Sequence, residues 1–368
     1  MNEGVLNGLK ELNIEYDTFF YQLEDWEEDT LFVEKFSEHL SKGGYDCVFS
    51  INYVPLISEV CEEKGIRYVS WVYDSPIHIR DLKSLKNNCN EIYFFDRGQA
   101  EDYRKQGIDA RHMTLAVDTG FWKKQIDANP DFAPVSEISF VGKLYGTEYK
   151  FFISALDKYQ QGYMEGVVSA QGKIYGGNLI PELITDEILE KMNAEYAKVA
   201  KDGFQMGRRE LEFLLACETT HRERITILNL LAQHFDVHLY TGDEGTGITN
   251  AVRHPYADYS TQMPVVFHNS KINLNISLKT ISTGMPLRVL DIMGCGGFLL
   301  SNFQVELAEY FSLGQECVVY ESLEDLYEKA VYYLAHDTER EQIAAAGYER
   351  VKRDFTFRER LSKMLLGK

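Results

Sequence analysis

The chain has 368 residues, long enough for two ordinary domains with full cores. Its composition, 45% hydrophobic and 26% charged, is globular and excludes a disordered chain. A formal net charge of −19, from 57 acidic and 38 basic side chains, argues against nucleic acid as a partner, because such a surface repels phosphate backbones.

The acidic excess is concentrated at the start, where residues 1–63 carry 15 acidic and 3 basic side chains. The same excess also serves plain solubility. The opening Met1-Asn2-Glu3 lacks the basic and apolar run of a signal peptide. A helical pattern over Glu3–Leu12 leads to an expected strand at Tyr16–Tyr21, then a helix at Thr30–Leu40. Strands follow at Asp46–Ile51, Arg67–Tyr73, Glu91–Phe95 and Arg111–Ala116, with helices near Pro55–Glu63 and Gln99–Lys105. Apolar runs such as Cys47-Val48-Phe49 and Ile92-Tyr93-Phe94-Phe95 alternate with amphipathic helices, the pattern of a parallel sheet covered on both faces. A first doubly wound domain is expected over residues 1–122.

The polar stretch Lys123–Ser136, with Pro130 and Pro134, reads as a linker. A second domain is expected over 137–354, opening with a strand at Glu137–Val141 that ends in Gly142. Residues 150–220 form a helical insertion with no clear strand. Further strands are expected at Val237–Thr241, Ile272–Ile276, Gly297–Ser301 and Cys317–Tyr320, with helices at Leu323–Ala335 and Thr338–Arg353. A last helix, Phe357–Leu366, within 355–368, is expected to pack back on the first domain. The fold class is therefore α/β, in the GT-B layout: two doubly wound Rossmann-like domains facing a cleft, with a helical insertion in the second.

No stretch reaches 18 apolar residues, so no integral membrane span is expected. The six cysteines form no CxxC pair or metal-ligand cluster, which suits buried thiols in the cytoplasm. The absence of Asp-x-Asp spacing points away from a metal–diphosphate site. No G-x-G-x-x-G follows an expected strand, and no G-x-S-x-G or GxxxxGK[ST] occurs.

The segment 271–311 carries the most chemistry. An apolar strand gives way to a loop with Ser277, Lys279, Thr280, Ser282, Thr283 and Gly284, and a helix starts near Pro286. Free amides and the positive dipole end of such a helix suit a diphosphate. Lys279 and Arg288 are positioned to neutralise phosphate oxygens. Asp291, on the same helix, can accept hydrogen bonds from ribose hydroxyls. In the first domain, Asp74 ends an apolar strand in Trp71-Val72-Tyr73-Asp74-Ser75-Pro76. It is either the general base for an acceptor or the cap of an Asx turn. Asp96 has the same geometry, and His78 is either a rim residue or a lone surface histidine.

The segment KINLNISLKTISTGMPLRVLDIMGCGGFLLSNFQVELAEYF resembles the donor-binding region of CgeB-type (spore maturation protein B-like) glycosyltransferases, relatives of the group-1 GT-B class. The likeness extends through CVVYESLEDLYEKAVYYLAHDTEREQIAAAGYERV and, in the first domain, YDCVFSINYVPLISEVCEEKGIRYVSWVYDSP and RHMTLAVDTGFW. It implies transfer of a sugar from a UDP- or GDP-linked donor, with no separate cofactor and no metal. The acceptor is left open among glycan, protein and small molecule. It also implies that Gly142 and Lys143 approach the donor diphosphate, although a simple turn explains them equally. Tyr240-Thr241-Gly242-Asp243 would border the base or be a plain turn. Glu306 would lie near ribose or serve its own helix dipole.

Two features depart from the family. The Glu expected eight residues before Asp291 is Thr283, and the family's opening strand and glycine loop have no counterpart before the first helix. Two other readings therefore stand beside the transferase: a non-catalytic GT-B-like assembly protein of a spore or cell surface, and a sugar-nucleotide epimerase.

Overall fold

The computed structural model describes residues 2–77, 79–200, 203–244 and 247–367. The chain forms two compact units, one of Met1–Asp118, Thr283–Leu287 and Lys352–Lys368, the other of Thr119–Ser282 and Arg288–Val351. No helix among the described residues is long and apolar enough to cross a membrane.

The first unit holds a four-stranded parallel sheet of β1 (Cys47–Ile51), β2 (Arg67–Val72), β3 (Asn90–Phe94) and β4 (Ala110–His112), in that spatial order. Its helices are α1 (Asn2–Glu11), α2 (Thr30–Leu40), α3 (Pro55–Lys64) and α4 (Arg97–Lys105). Tyr68, Val69, Trp71, Ile92 and Phe94 are buried, as continuous apolar strands require. Residues 14–23 form no strand, contrary to the sequence expectation. Their alternating aromatics instead cover α2, with Phe19 and Tyr21 packed on Phe32, and Phe19 also on Phe36. Alternation thus met an apolar helix face rather than a neighbouring strand.

The second unit opens with α5 (Thr119–Ala128), which replaces the first half of the expected linker. Its polar residues face outward in a Lys123–Asp127 pair while Trp122 is buried, so the stretch is one side of a helix. Then come β5 (Ser136–Val141) and a helical insertion: α6 (Tyr149–Ser154), α7 (Lys158–Gln171), α8 (Ile180–Leu183) and α9 (Asp186–Val199). These pack around Met164, Ile180, Met192 and Leu211.

The long α10 (Arg208–Ala232) buries Ile227, Leu228 and Leu231 against the sheet core. The chain continues through β6 (Val237–Tyr240), β7 (Val252–His254), α11 (Met263–Asn269), β8 (Ser270–Asn275), α12 (Leu287–Gly294), β9 (Leu299–Asn302), α13 (Val305–Tyr310), β10 (Val318–Tyr320), α14 (Leu323–Ala335) and α15 (Asp337–Asp354). The sheet is six-stranded and parallel, in the order β10-β9-β8-β5-β6-β7. Edge strand β7, Val-Arg-His, has no apolar run and so left no trace in the sequence pattern.

The chain ends in α16 (Phe357–Leu361) and a π-helical turn, Ser362–Leu366, within the first unit. Gly4 and Gly8 of α1 admit Phe357 and Leu361; a Cβ on Gly4 would lie 2.4 Å from the Phe357 ring. Arg67 ties this end to the sheet, donating to the Met364 carbonyl at 2.6 Å and to Glu91 at 2.6 and 2.8 Å.

Candidate functional site

In an open parallel sheet, ligands bind beyond the carboxyl ends of the strands, where the strand order reverses. The six-stranded sheet has such a point between β5 and β8, since the chain runs outward from β5 through β6 and β7, then resumes on the other side at β8. The four-stranded sheet runs in sequence order without a reversal.

Gly142 and Lys143 follow β5. Lys143 is exposed. A Cβ on Gly142 would lie 3.1 Å from Nη1 of Arg288, so glycine makes room for the guanidinium. Arg288 stands in the first turn of α12, its guanidinium 5.9 Å from the Phe267 ring. Its Nε is buried and meets no hydrogen-bond acceptor among the described residues. Burial lowers the Arg288 pKa, and the nearby Asp291 opposes that shift. The structure therefore brings an exposed cation and a half-buried cation with an unused buried donor to one place, the switch point. A diphosphate is the kind of group that such a donor set fits.

Asp291, one turn further along α12, is 2% exposed and accepts the Tyr259 hydroxyl at 3.1 Å. Burial pushes its carboxyl up to about 7, while Arg288 and Tyr259 pull the other way. The Tyr259 ring is held edge-on by Trp122 at 5.3 Å.

Arg224 of α10 braces the whole corner. Its guanidinium donates to the Lys143 carbonyl beyond β5 and to the Ile276 carbonyl beyond β8. It also lies over the rings of Phe140 and Tyr145, at 5.1 and 4.8 Å. Burial lowers its pKa to about 10, so it remains charged at neutral pH. Removing it would orphan two carbonyls, each at a cost of about 1–3 kcal/mol.

Several expected site residues are placed otherwise. The Gly142 N–H does not point at a ligand; it donates to the Tyr240 carbonyl at 3.0 Å, because the strand ladder consumes it. Lys279 is buried, with Nζ 2.9 Å from Glu223 and 3.3 Å from the Ile174 carbonyl it donates to, so its charge is already met. Gly284 is likewise committed, since its N–H donates to Asp96 at 3.1 Å and a Cβ would lie 2.7 Å from the Asp96 Cα.

Asp96 is fully buried and is an anchor rather than a base. One oxygen accepts from the N–H groups of Gly98, Thr283 and Gly284 and from the Thr283 hydroxyl, at 3.0–3.1 Å. Glu306 lies in the first turn of α13 beyond β9 and is fully buried. The Asp243 carboxylate accepts from the Leu144 N–H, which makes Thr241–Asp243 a brace for the β5 loop.

In the first unit, Asp74 is exposed just beyond β2 and accepts from the Asn52 amide at 2.7 Å. Asn52, just past β1 with φ of +60°, also accepts from the Tyr73 and Asp74 N–H groups at 2.7 and 3.2 Å. His78 lies outside the described residues.

The sequence reading missed Arg224, Tyr259 and Asn52. For Arg224 a signal existed: it continues the buried stripe of Ile227, Leu228 and Leu231, where a cation is out of place unless paired. Tyr259 and Asn52 sit in turns without a motif.

Residues 208–366, from α10 to the last turn, match the family model described as Glycosyl transferase-like. Among solved structures, the chain resembles Anabaena HepE in complex with UDP-glucose. The TM-score is 0.53 at 9% identity, over 99% of this chain and 89% of that one. It also resembles TarM, with a TM-score of 0.50 at 11% identity, over 90% of this chain and 57% of that one. No curated protein sequence matches. The fold is thus mixed α/β with parallel sheets, in the manner of the GT-B glycosyltransferases. The sequence likeness covers the C-terminal part of the chain and the likeness of fold nearly all of it.

Proposed function

We propose that this chain is a metal-independent, CgeB-type hexosyltransferase that moves a sugar from a UDP- or GDP-linked donor to an acceptor. The observation that carries this reading is the cradle at the β5–β8 switch point, where Gly142 opens space for the Arg288 guanidinium beside exposed Lys143. HepE, of like fold, is a protein seen with UDP-glucose. In this reading Lys143 and Arg288 take up the charge of the departing diphosphate, and Asp291 receives a ribose hydroxyl. Asp74, oriented by Asn52, is the proposed general base for the acceptor. Free thiols at all six cysteines support a cytoplasmic setting.

A non-catalytic binding protein is the second reading. It is favoured by Thr283, which stands where related enzymes carry a Glu and whose hydroxyl is bound to Asp96.

Calorimetric titration of UDP and GDP against the wild type and Arg288→Ala tests the cradle. A lost charged hydrogen bond weakens nucleotide binding by about 1.5–3 kcal/mol. Equal affinities in the two proteins remove Arg288 from the site. Incubation with a panel of nucleotide sugars then separates the activities: a transferase releases the nucleoside diphosphate, a binding protein leaves the donor intact, and an epimerase converts it with no acceptor present.

A further inference from the structure

Arg224 is not the only residue of α10 at the switch point. Ile227, Leu228 and Leu231 lie against the sheet core, and Arg224 meets the carbonyls beyond the carboxyl ends of β5 and β8. With a rise of about 1.5 Å per residue, His221 stands one turn, about 4.5 Å, further out, beyond the strand ends where ligands of such sheets bind. Thr220 beside it accepts the Lys279 N–H of the loop after β8 at 3.0 Å. His221 itself meets the loop after β5: Nδ1 lies 2.9 Å from the Leu144 carbonyl oxygen, and a Cβ on Gly146 would lie 3.8 Å from Cε1. A carbonyl oxygen only accepts, so Nδ1 carries the proton and the neutral ring presents a lone pair at Nε2. Nε2 has no partner among the described residues and, in this half-buried ring, is open to solvent.

We propose that His221 is a specificity-determining residue of the donor site, accepting at Nε2 a hydroxyl of the donor's sugar; this rests on the nucleotide-sugar reading proposed above. A lone-pair nitrogen repels phosphate oxygens, which have no proton to give, and suits a hydroxyl that has one. Right-handed crossovers put the helix leading from β5 to β6 and the helix leading from β8 to β9 on opposite faces of the sheet, because the two connections step in opposite directions. α12, with Arg288 and Asp291, therefore flanks the switch point on one face, and α10, with His221, flanks it on the other. With the ribose at Asp291 and the diphosphate at Arg288 and Lys143, the sugar end of the donor falls to the α10 side.

The test is calorimetric titration with UDP, UDP-glucose, UDP-N-acetylglucosamine, GDP and GDP-mannose. His221→Asn places its side-chain amide where Nδ1 was, so it keeps the donation to Leu144 and lacks Nε2. His221→Phe keeps a ring and loses both nitrogens. In the wild type a nucleotide sugar should bind more tightly than its own nucleoside diphosphate. That advantage should fall by about three- to tenfold in both variants, each folded by circular dichroism, while His221→Asn binds the bare diphosphate as the wild type does. An advantage retained in either folded variant overturns the proposal, and so does a wild type that binds no nucleotide sugar more tightly than its diphosphate. A wild type that binds none of the five probes overturns the donor reading as well, so the two failures are told apart.

Discussion

Asp291 provides a test that needs no substrate. Its carboxyl is buried and its pKa raised from 3.8 to about 7. Between those values the unfolded chain has released the proton while the folded chain keeps it, so stability falls as pH rises through the interval. Below about pH 4 both states hold the proton and the penalty vanishes; well above pH 7 both have lost it and the penalty is complete. An interval of about three pH units, at about 1.4 kcal/mol each, makes the full effect on the order of 4 kcal/mol. Urea unfolding of the wild type and Asp291→Asn, from about pH 4 to pH 8, measures it as a difference curve. Asp291→Asn removes the titrating group, so the slope of the difference curve is the readout. The wild type should lose stability relative to the variant with rising pH, most steeply between about pH 5 and pH 7. Parallel curves would refute both the burial argument and the neutral state assigned to Asp291.

Gly284→Ala forces a Cβ to within 2.7 Å of the Asp96 backbone, so a loss of about 1–3 kcal/mol is expected in urea unfolding. Asn52→Ala removes the amide that holds Asp74, and should lower kcat of transfer while leaving UDP affinity unchanged in calorimetry. A matched fall in nucleotide affinity would show that Asn52 acts through the fold. Extensive dialysis against EDTA should leave transfer activity unaltered, and a loss restored by added divalent ions would end the metal-independent reading.

Much of the architecture was legible in the sequence because its causes are local. The runs in β1 and β3 are apolar on both faces, and Pro286 and Gly297 frame α12 within a few residues of where the helix starts and stops. Arg288 and Asp291 were legible for the same reason, since both lie on a helix whose start a proline marks. The residues 14–23 misled because alternating aromatics answer equally to a strand neighbour or to an apolar helix, and only the presence of Phe32 and Phe36 chooses.

The tertiary structure alone decided which polar groups remain available. Lys279 looked like a phosphate ligand until Glu223 of α10 was found against it. Gly284 looked like part of a diphosphate site until Asp96, 188 residues away, was found holding its amide. The sheet order that creates the switch point between β5 and β8 belongs to the same class of fact. Sequence patterns report burial and period, which a residue's near neighbours determine. Whether a donor or a charge is free depends on partners brought in from distant parts of the chain, and these only folding supplies.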